Sequence, residues 1–165
     1  WSTAELEAKG IYEVVFDDTN KKDEQWYINT NQSFAFADGT VTASYGSATA
    51  KAHADANATD EDGADLDPVV VIEGLKTTLI RTVKQQAAGI LANTDWYITR
   101  NTEKSTAIPS AITTHRDLVR SRQATMETQI TNASDTPALE TLYTYTTDSD
   151  GVQSRTLAEL PTLEI

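Results

Sequence analysis

The chain contains no cysteine, which excludes disulfides and thiolate metal sites and leaves the redox compartment unmarked. Its only histidines are His53 and His115, so few nucleophile–base pairs can be assembled. No apolar run approaches the roughly 20 residues needed to cross a bilayer. The opening Trp1-Ser-Thr-Ala-Glu-Leu-Glu lacks the basic start and apolar centre of a signal peptide. It also begins without Met, as a processed product or a piece of a longer chain would. Positive charge is scarce, with 13 Lys and Arg against 25 Asp and Glu, a net of -12. Up to Pro68 there are 14 acidic and 4 basic residues; beyond it, 11 and 9. This balance argues against nucleic acid and anionic membrane as partners, because phosphate recognition relies on clustered Lys and Arg. No Gly-rich phosphate loop, His-x-x-x-His pair or nucleophile elbow is present, so the chain reads as a non-enzyme with no cofactor.

What is present changes period along the chain. A length of 165 residues suits one domain or two small ones. Residues 1–54 are β-rich. Ser2-Thr-Ala-Glu5 is a capping box, and Gly10 is placed to stop the helix it starts after about two turns. Ile11 to Phe16 and Thr40 to Tyr45 carry strand signals, and Trp26, Ile28, Phe34 and Phe36 share one parity. Asp38-Gly39 predicts a tight hairpin. Residues 55–68 turn acidic and lose aromatics, which reads as a linker or exposed loop.

From Val69 to residue 134 the pattern is helical. Ile72, Leu75, Leu79, Val83, Ala87, Ile90 and Leu91 fall on one face. Asn93-Thr94-Asp95 carries cap-type residues, so the helix either breaks there and restarts through Lys104 or runs on unbroken. Pro109 marks the next start, and Ile112, Val119, Met126, Ile130 and Ala133 form the return stripe. Residues 135–165 read as a short helix with Thr136 as N-cap, a hairpin of Leu142–Thr147 and Val152–Leu157, and an extended tail from Leu160 to Ile165. The expected class is α+β: a small antiparallel β-sheet, then a helical hairpin, then a C-terminal β-hairpin.

Three constellations carry possible chemistry. Asp60, Asp62, Asp65 and Asp67, with Asp148 and Asp150, supply the hard oxygens that calcium prefers, although the first run departs from an EF-hand loop and reads more simply as a solvated turn. Trp26, Tyr27 and Tyr45 are aromatic candidates for a partner or glycan surface, the alternative being sheet core. Thr94, Asp95 and Trp96 with Arg116 and Arg120 form a structural anchor at the helical bend. Asp95 is either a clamp onto arginines, including Arg100, or an N-cap, and the cap is favoured. Trp96 is the expected packing anchor, so Trp96→Ala should cost about 3–5 kcal/mol.

The order Ile90-Leu91-Ala-Asn-Thr94-Asp95-Trp96-Tyr97-Ile-Thr-Arg100, then Ala107-Ile108-Pro109, then Arg116-x-x-Val119-Arg120, resembles a module of tailed bacteriophages. That module occurs in tail assembly chaperone-like and tail-fibre assembly-like proteins and at the ends of some virion proteins. The resemblance covers Thr82 to Arg122; the opening Trp1…Glu5-Leu6-Glu7…Gly10-Ile11-Tyr12 is similar to marine phage proteins that carry the module. His115 stands where the module usually has Tyr. The resemblance implies a non-enzymatic structural component of a virion, in the tail or tail fibres, contacting other phage proteins or further copies of itself. A transient assembly chaperone in the host cytoplasm is the alternative within phage biology. A host-glycan-binding module built on the sheet aromatics is the alternative outside it.

Overall fold

A computed structural model of the chain describes residues 1–30 and 32–163. It has the α+β class expected, with small sheets first, helices in the middle and a β-hairpin near the C-terminus. The chain divides into two compact units, Trp1–Lys51 and Ala52–Ile165.

In the first unit the capping box forms as written. Ser2 Oγ accepts from the Glu5 amide and Glu5 Oε2 accepts from the Ser2 amide, starting α1 (Thr3–Glu7). Five strands follow: β1 (Glu13–Asp17), β2 (Tyr27–Ile28), β3 (Ser33–Ala37), β4 (Thr40–Ser44) and β5 (Thr49–Ala50). Asp38 and Gly39 both take positive φ, 49° and 78°, as a two-residue primed turn between antiparallel β3 and β4 requires. The three-stranded sheet has the order β1-β4-β3, and β1 runs parallel to β4. The sheet is therefore mixed rather than purely antiparallel. The chain passes through β2 and β3 before β4 enters the centre, and β4 then points the same way as β1. β2 pairs with β5 instead, so Trp26 and Ile28 do not join Phe34 and Phe36 on one surface.

In the second unit the acidic stretch is exposed but folded. β6 (Ala56–Asn57) pairs antiparallel with β7 (Val71–Ile72), and a Thr59–Asp65 bridge narrows the loop between them. Ile72 thus sits exposed in a strand, not on the helix face. The Asp55 carboxylate accepts from the Gly74 amide at 2.7 Å and the Thr77 hydroxyl at 2.8 Å, tying this hairpin to the helix start. These bonds, the backbone one first, hold the Asp55 pKa below its ordinary range. Gly74 is required by space, since a Cβ there would lie 2.4 Å from the Ala54 backbone.

Helices α2 (Leu75–Ala92), α3 (Asp95–Lys104), α4 (Ser110–Asn132) and α5 (Thr136–Tyr143) follow. The break before Asp95 is real; the unbroken helix does not occur. α2 and α4 pack antiparallel, and three cross-links mark their register. Lys76 Nζ donates to the Thr131 carbonyl at 2.9 Å, Lys84 meets Glu127 at 3.4 Å, and Arg116 reaches the Leu91 carbonyl at 2.8 Å. Val83 and Ala87 are buried on α2, and Ile112, Val119, Met126 and Ile130 on α4, with Ala133 just beyond its end. The N-cap of α5 is Asp135, whose carboxylate accepts from the Ala138 amide at 2.8 Å, one residue before the expected Thr136. α5 also absorbs Leu142 and Tyr143, so the terminal hairpin is shorter than expected, β8 (Thr146–Thr147) with β9 (Gln153–Ser154). Beyond it Leu157 is buried and its amide donates to the Leu142 carbonyl. The Gln129 amide brackets that residue, donating to the Thr156 carbonyl and accepting from the Ala158 amide. The expected tail holds no regular structure through Leu163, while Glu164 and Ile165 lie outside the described residues. Among the described residues no helix is long and apolar enough to cross a membrane.

Two outcomes check this packing. By urea denaturation followed at the helical circular-dichroism band, Ile130→Ala should cost about 2–5 kcal/mol, whereas Leu118→Ala, exposed on the same helix, should stay within about 0.5 kcal/mol. The lowered pKa of Asp55 also has a sign. Its contribution is complete above the unfolded carboxylate value near ~4 and is lost as pH falls through the lower folded value. Asp55→Asn should therefore lower the melting temperature at pH 7, and a melting series taken down to pH 2 should show the gap to wild type closing.

Candidate functional site

The bend between α2 and α4 is built on one guanidinium. Arg116 is buried near the start of α4, and its Nη1 lies 2.8 Å from the Leu91 carbonyl, 2.6 Å from Thr94 Oγ1 and 2.9 Å from Asp95 Oδ1. The Leu91 carbonyl already accepts from the Thr94 amide at 3.0 Å, and a charged donor from the next long helix adds to it. Thr94 is buried and turns its own hydroxyl to the Leu91 carbonyl at 2.9 Å. Asp95 is the first residue of α3, where its charge also favours the helix N-terminus. Its carboxylate is a clamp on Arg116 and not the favoured N-cap; Thr94 stands at the cap position and makes no side-chain cap bond.

Two members of the expected anchor lie outside it. Arg120 turns to Asp117, one helical turn back at 3.3 Å, because the step of one turn along α4 from Arg116 carries it past the bend. Trp96 is half exposed and anchors nothing in the core. Its ring lies beside Tyr97, and the Arg100 guanidinium sits 4.7 Å over Trp96 and 5.4 Å over Tyr97. Trp96 and Ile98 are exposed on different sides of α3, while Tyr97 and Arg100 are half-buried beside the Trp96 ring. Trp, Tyr and Arg are the side chains enriched at the energetic centres of protein interfaces. Arg100 serves this surface stack and takes no part in the clamp.

A larger apolar surface lies on the sheet of the first unit. The register sets Val14 beside Val41 and Phe16 beside Ala43, with Phe36 beside Val41 and Phe34 beside Ala43 on the other flank. Residues paired across strands share a face, so all six lie on one side. Tyr12 extends that face, its ring 4.5 Å from Phe36. Tyr12, Val14, Phe16, Phe34 and Phe36 are 37–65% exposed, while Ala43 between the two phenylalanine rows is fully buried. The opposite face carries Glu13, Asp17, Thr40, Thr42 and Ser44, with an exposed Val15 and the small Ala35 and Ala37 among them. Tyr12, Val14 and Phe16 share one parity, but Val15 between the last two breaks any apolar–polar alternation, so the sequence carries only a partial signal for this face. The shared parity of Trp26 with Phe34 obscured it.

The remaining candidates disperse. Trp26 and Tyr27 are buried, so they present no partner or glycan surface; Tyr45 is half-buried under the Lys21 ammonium. The calcium candidates spend their oxygens on their own turns. Asp60 accepts from the amides of Asp62 and Ala64, Asp65 from the Asn57 side chain, and Asp148 from the amides of Asp150 and Val152. Asp62, Asp67 and Asp150 complete no cluster, and among the described residues no three His or carboxylate groups converge as metal ligands. His115 is buried with Nε2 unpartnered, and neither it nor His53 meets a hydroxyl or carboxylate among the described residues.

Compared with family models, curated proteins and solved structures, the chain matches none of them.

The two arms of the bend give opposite expectations. Arg116→Ala should cost about 2–4 kcal/mol, because it strips a buried carbonyl and hydroxyl of a charged donor. The exposed Asp95 carboxylate contributes less, so Asp95→Asn should cost about 1 kcal/mol or less. Trp96→Ala should change stability by no more than about 1 kcal/mol, against the 3–5 kcal/mol expected of a core tryptophan. Chemical denaturation of the three variants checks the order.

Proposed function

We propose that this chain is a non-enzymatic structural component of a tailed bacteriophage virion, of the tail or its fibres, and that it works by contact with other proteins. The observation that carries the reading is the uncharged aromatic face of the three-stranded sheet, with five large side chains open on one side. Contiguous apolar surface of this kind marks contact sites more often than catalytic ones. The Trp96–Tyr97–Arg100 stack, in which Trp96 is half exposed, supports it as a second surface of interface composition. The phage assignment itself rests on the resemblance of the Thr94-Asp95-Trp96 segment and the arginines that follow it.

The acidic balance agrees with protein partners and not with phosphate backbones. Mass spectrometry of purified virions tests the proposal directly: peptides of this chain should appear at a fixed ratio to the other tail proteins. Their absence from finished particles, with fibre formation lost when the gene is removed, would instead favour the transient assembly chaperone.

A further inference from the structure

We infer that the aromatic face of the three-stranded sheet is covered by the same face of a second copy of this chain, through a two-fold interface. The inference rests on the reading of that face as a protein-contact surface and names its occupant.

The shape of the face is the first argument. Its outer strands carry the large side chains, Tyr12, Val14 and Phe16 along β1 and Phe34 and Phe36 along β3. The central strand carries only Val41 and Ala43. The rings close over that strand, Tyr12 from β1 reaching Phe36 from β3 with centroids 4.5 Å apart and Ala43 buried beneath, so the surface is one continuous apolar layer. A two-fold axis running along β4 lays β1 of one copy over β3 of the other, so all three strands are covered and both sets of large side chains are buried together. The axis makes that contact twice, which is what an isologous interface requires. Two twisted sheets stacked in this way form an ordinary β-sandwich.

Area is the second argument. Exposures of 37–65% on five side chains, four of them aromatics of roughly 150–250 Å² each, leave on the order of 500 Å² open. Pairing two copies removes about 1,000 Å² in total, the lower bound for a specific interface.

Charge is the third. The chain carries a net -12, which opposes self-association wherever charged groups meet. On β1 the pleat sends Glu13 and Asp17 to the opposite side, and no charged residue stands among the register partners of the aromatic face. Like-charged copies can touch here without placing carboxylates against one another. The remaining long-range repulsion is screened by salt, so this contact tightens as ionic strength rises.

Sedimentation velocity on the full chain, from low to high micromolar concentration and at 50 and 500 mM NaCl, tests the inference. The expected result is a monomer–dimer equilibrium that tightens with salt. Phe34→Asp should weaken it at least about a hundredfold, since each aspartate is buried in both symmetric halves. Ala35→Asp, next in sequence but on the opposite face, should leave it unchanged. If Phe34→Asp also lowers the melting temperature, the milder pair Phe36→Ser and Ala37→Ser replaces these two with the same expectation. A chain that stays monomeric at every concentration overturns the inference, and so does a dimer that Phe34→Asp and Phe36→Ser leave intact. A dimer that loosens with salt overturns it as well, because that sign belongs to a charge-complementary contact. None of these outcomes bears on virion mass spectrometry, so failure of the second copy as occupant is distinguishable from failure of the phage reading.

Discussion

The geometry of the second unit depends on a buried guanidinium at a helix end. Helix α2 stops at Ala92, the Leu91 carbonyl accepts from the Thr94 amide at 3.0 Å, and a further donor locks the bend. Arg116 supplies it from the start of the returning helix, binding the Leu91 carbonyl and the Thr94 hydroxyl together. The contact joins residues 25 positions apart and lies at the opposite end of the pair from Lys76 and Thr131. With both ends fixed, Val83 and Ala87 have a defined partner surface on α4. The exposed Asp95 carboxylate balances the charge at the rim of the bend, where water still reaches it. A charge placed in this way avoids most of the desolvation cost that a fully buried ion pair would carry.

That arrangement explains why Trp96 points outward. Thr94 occupies the inner position of the bend and Asp95 faces Arg116, so the next residue on the new helix falls on the far side. The residue types at the bend were legible in the sequence, as was the break itself, because Asn93, Thr94 and Asp95 all favour helix ends. Which way the restarted helix turned was not. Tryptophan is buried often enough that an inward position was the better expectation, and only the tertiary contact of Arg116 decides otherwise. The pairing of Asp95 with Arg116 instead of Arg120 was illegible for the same reason, since it depends on where α4 begins relative to the bend.

The helical stripes were read most faithfully. Val83 and Ala87 on α2 and Ile112, Val119, Met126 and Ile130 on α4 are buried as their spacing requires. A long periodic segment repeats its signal at every turn, so single irregular residues do not obscure it. The strands offer no such redundancy. β2 and β5 have two residues each, too short to show alternation, and the parity that Trp26 shares with Phe34 does not place it in their sheet, since it lies in the turn before β2. The parallel pairing of β1 with β4 was likewise hidden, because strand order is a property of the chain path and not of any one strand.

The two units differ in how their apolar residues are used. The helical unit folds its stripes against one another and covers its last turns with Leu139 and Leu157. The first unit has about 50 residues, near the size below which a chain buries too little surface for a secure core. It buries Trp26, Tyr27 and Ala43, and leaves Phe16, Phe34 and Phe36 largely in solvent. Such a unit gains stability from whatever covers those rings, because burial on association and burial on folding draw on the same hydrophobic effect. The acidic composition then limits where contact can occur. A surface dense in carboxylates is costly to press against another of the same kind, whereas the pleat of β1 sends Glu13 and Asp17 to one side and leaves the other uncharged. Both carboxylates of β1 thus share a face with Val15, and the face of Val14 and Phe16 carries neither.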